Sequence, residues 1–193
     1  MMTPDEDLIR ELQQGRSQAF DELFARYQRP VFHFCLRMTG SRPDAEDVTS
    51  EVFLALFQKC RSYEPKAKFS TWLFTIARNM SISRIRRRRK ISFLWFIDKT
   101  RGDEMPWDIP DPSPGADEKA VRAETDRAIA AAIQKLPDLQ KQALILREYQ
   151  QFSYAEISQI LKCSLEQVKI LIYRARQTLK DQLAGILTEG SDE

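Results

Sequence analysis

FSTWLFTIARNMSISRIRRRRK, residues 69–90, opens as an aromatic, apolar helix and closes on six basic residues out of seven, Arg84 and Arg86 to Lys90. At about 100° per residue, Phe69, Leu73, Ile76 and Met80 share one face, the spacing with which a helix packs on a domain core. Beside it runs a second stripe of Trp72, Thr75, Asn79, Ser83 and Arg86. That stripe offers an aromatic plane for stacking on a base, an amide for a base edge and a cation for phosphate. Taken alone, the stretch reads equally well as a core helix with a solvated basic end. The surrounding chain tips the balance.

Upstream, three amphipathic segments are expected to be helices. Asp5 to Gly15 carries Leu8, Ile9 and Leu12. Gln18 to Thr39 carries Phe20, Leu23, Phe24, Tyr27, Val31, Phe34 and Cys35, and Gly40 serves as its C-cap. Asp44 to Cys60 turns Val48, Val52, Leu56 and Cys60 inward, and Tyr63 to Lys68 is a loop. Downstream, residues 99–115 hold Pro106, Pro110, Pro112, Pro114 and two glycines, a composition that reads as an extended linker. Asp117 to Leu136 is expected to be helical, and Pro137 suits the first turn of a further helix running to about Tyr149.

Ser153-x-x-Glu156 and Ser164-x-x-Gln167 are both capping boxes, in which serine and acid or amide satisfy open N–H groups at a helix start. They bracket a short helix with Ile157, Ile160 and Leu161 inward, a turn at Lys162-Cys163, and a longer basic helix. The latter is expected to bury Leu165, Val168, Ile172, Ala175 and Leu179. Short helix, tight turn and longer basic helix form the helix-turn-helix pattern. The chain is therefore read as all-α: a four-helix domain over 5–97, a linker over 98–116 and a helix-turn-helix domain over 117–187.

Net charge is only +2, but it is segregated. Residues 61–90 hold ten bases and one acid; just before them Asp44, Glu46, Asp47 and Glu51 form an acidic patch without a basic neighbour. Residues 98–118 hold seven acids and two bases, and residues 165–180 four bases and one acid. Alternating blocks fit a protein that touches a polyanion at two places and another partner between them. The three cysteines are widely spaced, with no metal-ligand spacing or disulfide framework. No nucleophile–base pair or glycine-rich phosphate loop is present, so neither an enzyme nor a cofactor is expected. The acidic N-terminus lacks the layout of a signal peptide, and the apolar run Phe93 to Ile97 falls far short of the roughly 18 residues of a membrane span. The expected compartment is the cytoplasm. His33, the only histidine, is expected at a core or boundary position of its helix.

Taken in order, DAEDVTSEVFLALFQK (44–59), FSTWLFTIARNMSISRIRRRRK (69–90) and LPDLQKQALILREYQQFSYAEISQILKCSLEQVKILIYRARQTL (136–179) resemble a bacterial RNA polymerase sigma factor of the extracytoplasmic-function group. The resemblance implies partners: core RNA polymerase, promoter DNA and an anti-sigma factor, with no small-molecule substrate and no insertion into a membrane. It implies that Asp44, Glu46, Asp47 and Glu51 bind core polymerase. It places Lys66, Lys68, Trp72, Asn79, Ser83, Arg86 and Arg87 on the minus-ten element, with the 63–68 loop capturing a flipped base. Ser164, Glu166, Gln167, Lys169, Ile170, Tyr173, Arg174 and Arg176 would meet the minus-35 element.

Four positions depart from that family's pattern. Lys162 stands where the turn usually has glycine, and Glu166, Ile170 and Leu171 replace small, polar or arginine residues. Outward Glu166 and Ile170 could contact a cytosine amine and a thymine methyl. Equally, they could weaken minus-35 binding or be covered by a protein. Two other functional classes remain open on sequence grounds: a helix-turn-helix regulator acting without polymerase, and a helical interaction protein.

Overall fold

The computed structural model describes residues 3–64, 67–98 and 116–189, and the chain divides into two compact units, Met1–Ile109 and Pro110–Glu193. Lys66, the 99–115 linker and the side chains of Phe93 to Ile97 lie outside the described residues.

The first unit packs α1 (Asp5–Gln13), α2 (Ser17–Thr39), α3 (Arg42–Lys59) and α4 (Phe69–Asp98). Its core is Leu8, Ile9, Leu12, Leu23, Val31, Phe34, Met38, Val48, Val52, Leu56, Phe69 and Leu73, each no more than 5% exposed. Gly40 ends α2 in the left-handed region (φ 67°), its N–H reaching the Leu36 carbonyl at 2.8 Å. Ser41 then caps α3, its hydroxyl accepting from the Asp44 N–H. α3 therefore starts two residues before the sequence reading places it. Arg26 and Tyr27 both bond to Asp5, fastening α2 to the first turn of α1.

In α4 the inward seam differs from the expected one. Phe69, Leu73, Ala77 and Ser81, four apart, are buried together with Phe74, whereas Ile76 and Met80 are half-buried flanks. Small side chains at 77 and 81 let α4 lie close against α2 and α3, so the seam follows small residues rather than the large apolar ones. Nor does α4 end near Lys90; it runs on to Asp98.

The second unit contains α5 (Ala116–Lys135), α6 (Asp138–Leu144) widening into a π turn (Ile145–Tyr149), α7 (Tyr154–Leu161) and α8 (Leu165–Glu189). Pro137 is the N-cap of α6. Two non-glycine residues, Gln151 (φ 60°) and Lys162 (φ 55°), take the left-handed conformation that ends one helix and aims the next. A side chain there costs roughly 1–2 kcal/mol, partly offset because glycine loses more entropy on folding. Gln151→Gly and Lys162→Gly are each expected to stabilise the second unit by about 0.5–1 kcal/mol, read as a higher urea midpoint. An unchanged or lower midpoint would show that the two conformations are not strained.

Candidate nucleic-acid interface

α4 turns its polar stripe outward. Asn79, Ser83 and Arg86 are exposed, and with Arg78 and Ile82 they line a shallow, open depression. The Arg78 guanidinium donates to the Asn79 side-chain oxygen at 3.1 Å, leaving the amide N–H₂ as the face offered outward. Trp72, half-buried, meets Tyr63 edge-on at 5.2 Å and lies 6.0 Å from Phe69. It is therefore both part of the packing and part of the surface. The adjoining loop is held at two points: the Tyr63 hydroxyl donates to the Ala67 carbonyl (2.9 Å), and the Gln13 amide donates to the carbonyls of Cys60 (2.9 Å) and Tyr63 (3.0 Å). Lys68 is exposed at the loop's end. Gln13 carried no signal in the sequence, because its partners lie 47 and 50 residues away.

The acids of α3 are not without basic neighbours, which corrects the sequence reading. One arginine of α4, Arg84, reaches Asp44 at 3.4 Å, Asp47 at 3.0 Å and Glu51 at 2.9 Å. Arg88 adds a second bond to Asp44 at 3.2 Å, and Arg42 bridges Glu46 at 3.0 Å. The hydrogen bond to Asp47, with Glu51 adding to it, outweighs the opposing effect of burial and favours the charged Arg84 guanidinium further. Asp44 is only 19% exposed, while Glu46, Asp47 and Glu51 stay half or more exposed. Asp44 thus anchors the network from beneath, and the other three make the accessible surface. The basic run is split accordingly: Arg84 and the half-exposed Arg88 bond to α3, whereas Arg86, Arg87, Arg89 and Lys90 lie exposed beside them. The outer face of α3 also carries Leu54 and Phe57, each 57% exposed, which sequence reading passed over. Both fall outside the Val48/Val52/Leu56 seam, and that was the available signal.

His33 is exposed rather than set in the core, its ring 5.5 Å from Phe32. Partial burial, then Arg37 and Arg29, lowers its pKa.

In the second unit both capping boxes form. Ser153 and Glu156 bond reciprocally, the Ser164 N–H donates to the Gln167 side-chain oxygen at 2.9 Å, and the Gln167 N–H donates to the Ser164 hydroxyl at 3.2 Å. Ser164 and Gln167 are exposed but committed first to starting α8. Val168, Ile172 and Ala175 are buried as expected. Leu165 is not: it is 36% exposed, because the first helical residue stands beyond the packed turns. Leu179 is half-buried. Glu166, Lys169, Ile170, Tyr173 and Arg174 all face outward. Arg176, although exposed, is tied back to Glu148 of the π turn, with Nε donating at 3.1 Å, and this pairing raises its pKa.

The Sigma-70 region 2 model matches residues 23–91 and the Sigma-70 region 4 model matches residues 126–179. The ECF RNA polymerase sigma factor SigW of Bacillus subtilis is 31% identical over 179 residues, 92% of this chain and 96% of SigW. The chain belongs to the extracytoplasmic-function group of sigma-70 factors. The region 2 match of this sigma factor contains the α3 acids and the α4 stripe; the region 4 match contains both capping boxes and the outward face of α8. Two solved structures share its fold. CnrH, in complex with the cytosolic domain of CnrY, is 23% identical with a TM-score of 0.71, over 94% of this chain and 97% of that one. RpoE of Bartonella quintana, in complex with the anti-sigma factor NepR, is 23% identical with a TM-score of 0.68, over 86% and 96%. Among the described residues no helix of this sigma factor is long and apolar enough to cross a membrane.

Proposed function

We propose that this alternative sigma factor docks on core RNA polymerase through the outer face of α3, opens and reads the minus-ten element with α4 and the 63–68 loop, and reads the minus-35 element with α8. It works in the cytoplasm, under the control of an anti-sigma factor, and contributes no catalytic chemistry of its own. The observation that carries this reading is the division of labour in the first unit. Acidic groups and the exposed Leu54 and Phe57 occupy α3, an amide, a hydroxyl and exposed cations occupy the outward side of α4, and Arg84 and Arg88 between them are bonded to the α3 acids. A helix-turn-helix regulator acting alone has no use for such an α3 surface. Mixing the chain with core polymerase is expected to give a co-eluting complex on gel filtration that footprints a promoter duplex. Footprinting by the chain alone, with no co-elution, would contradict it.

Within α8 the cations are expected to act unequally. Removing one cation from a phosphate lowers the salt slope of log affinity by about 0.9. Arg174→Ala is expected to do this across all sequences, and Arg176→Ala to do less, since Glu148 already holds that guanidinium. Changes at Glu166 or Ile170 are instead expected to alter base preference. The measurement is binding of the full chain to a selected minus-35 duplex at several salt concentrations. Unchanged affinity and slope in both arginine variants would remove this face from DNA binding.

A further inference from the structure

Arg84 of α4 stands at the centre of three carboxylates of α3. It points away from the outward stripe of α4: at about 100° per residue it lies roughly 140° around the helix from Asn79. It takes one oxygen from each acid, Asp44 Oδ1, Asp47 Oδ2 and Glu51 Oε1. A carboxylate can accept through both oxygens. Asp47 and Glu51, 63% and 50% exposed, therefore keep a second oxygen for a partner while the first is held. Asp47 and Glu51 are one helical turn apart, so a single guanidinium fork fixes two neighbouring acids on one surface. Arg88, bonded to Asp44 from the next turn of α4, braces Asp44 from a second side.

We propose that Arg84 is a positioning residue for polymerase docking: it presets the side chains of Asp47 and Glu51 in the geometry that the basic surface of core polymerase receives. The proposal rests on the reading of α3 as the polymerase-binding face. Two effects of removing Arg84 oppose each other. The surface gains a negative charge, which speeds encounter with a basic partner, but only within a screening length of about 8 Å at physiological salt. Against this, two flexible acids must be immobilised on docking, which weakens a complex roughly 2- to 12-fold for each side chain. Paired acids also lose less solvation on burial than free ones. Ordering outweighs steering, and the loss falls on dissociation.

The test measures association and dissociation of the full chain with core polymerase for wild type, Arg84→Gln, Arg84→Lys, Asp47→Asn/Glu51→Gln, and the combination of Arg84→Gln with Asp47→Asn/Glu51→Gln. Arg84→Gln is expected to dissociate about 5- to 20-fold faster with association unchanged or faster. A loosened fold would instead lower the active fraction and slow association. Arg84→Lys keeps the charge but not the fork, so it is expected between the two. In the Asp47→Asn/Glu51→Gln background, adding Arg84→Gln is expected to change nothing further, because Arg84 acts through those acids. Unchanged or tighter binding by Arg84→Gln, or an equal loss in the background lacking both acids, would overturn the proposal. If Asp47→Asn/Glu51→Gln itself leaves binding unchanged, the polymerase-binding reading of α3 fails, and this inference with it. If it weakens binding while Arg84→Gln does not, only the role of Arg84 fails. Should Arg84→Gln melt near the assay temperature, the Arg84→Lys dissociation rate decides: a rate equal to wild type counts against the proposal.

Discussion

Reversing Asp47 and Glu51 to lysine is expected to abolish co-elution with core polymerase, an affinity loss on the order of 100-fold or more. Both residues are at least half exposed and share one surface, so a basic partner would meet two repulsive charges in place of two attractive ones. The reversal also sets two lysines against Arg84, whose bonds to these acids are 3.0 and 2.9 Å long. Exposed ion pairs contribute little to stability, typically about 0–1 kcal/mol each, so the helical fold is expected to survive. Circular dichroism and thermal melting check that point, and gel filtration with core checks the binding. Co-elution equal to wild type, with the fold intact, would remove α3 from the polymerase interface.

Asn79→Ala is expected to reduce open-complex formation about 5- to 150-fold, the range spanned by one well-placed base contact. Arg78 donates to the amide oxygen, and Asn79 lines the open depression with Ile82, Ser83 and Arg86. Flipping a base out of the stack costs a few kcal/mol, and the groups that receive it must offset that cost. The defect is therefore expected to shrink on a pre-melted template, where strand separation is already supplied. Permanganate reactivity of the duplex promoter is the measurement. A footprint matching wild type would exclude Asn79 from melting.

What sequence alone revealed was what is decided locally. The two capping boxes are set by residues three apart, the end of α2 by one glycine, and the buried side of α8 by Val168, Ile172 and Ala175. All are present in the structure. The α4 seam misled because Ala77 and Ser81 are small, and periodicity weighted by apolar bulk favoured Ile76 and Met80 instead. Gln151 gave no warning of its positive φ, since nothing in a glutamine marks that conformation. Asp44, Asp47 and Glu51 looked unpaired because their shared partner, Arg84, lies 33 to 40 residues downstream, whereas Glu46 meets Arg42 only four residues away. Helical phase sets Arg84 and Arg88 on a different side from Arg86, but only packing shows that this side meets the acids of α3. The outward stripe of α4, by contrast, could be read in advance. Helical phase alone sets Asn79, Ser83 and Arg86 together, although it could not show that Trp72 also packs on Tyr63 and Phe69.

The central claim is that this chain confers promoter selection on core RNA polymerase. The direct measurement is run-off transcription from a library of promoter fragments with purified core, in the presence and absence of the chain. The account predicts transcripts starting at a defined site downstream of a shared pair of elements only when the chain is added, and none with the Asp47→Lys/Glu51→Lys variant. Site-specific initiation that does not depend on the chain, or none with it on any fragment, would contradict the account.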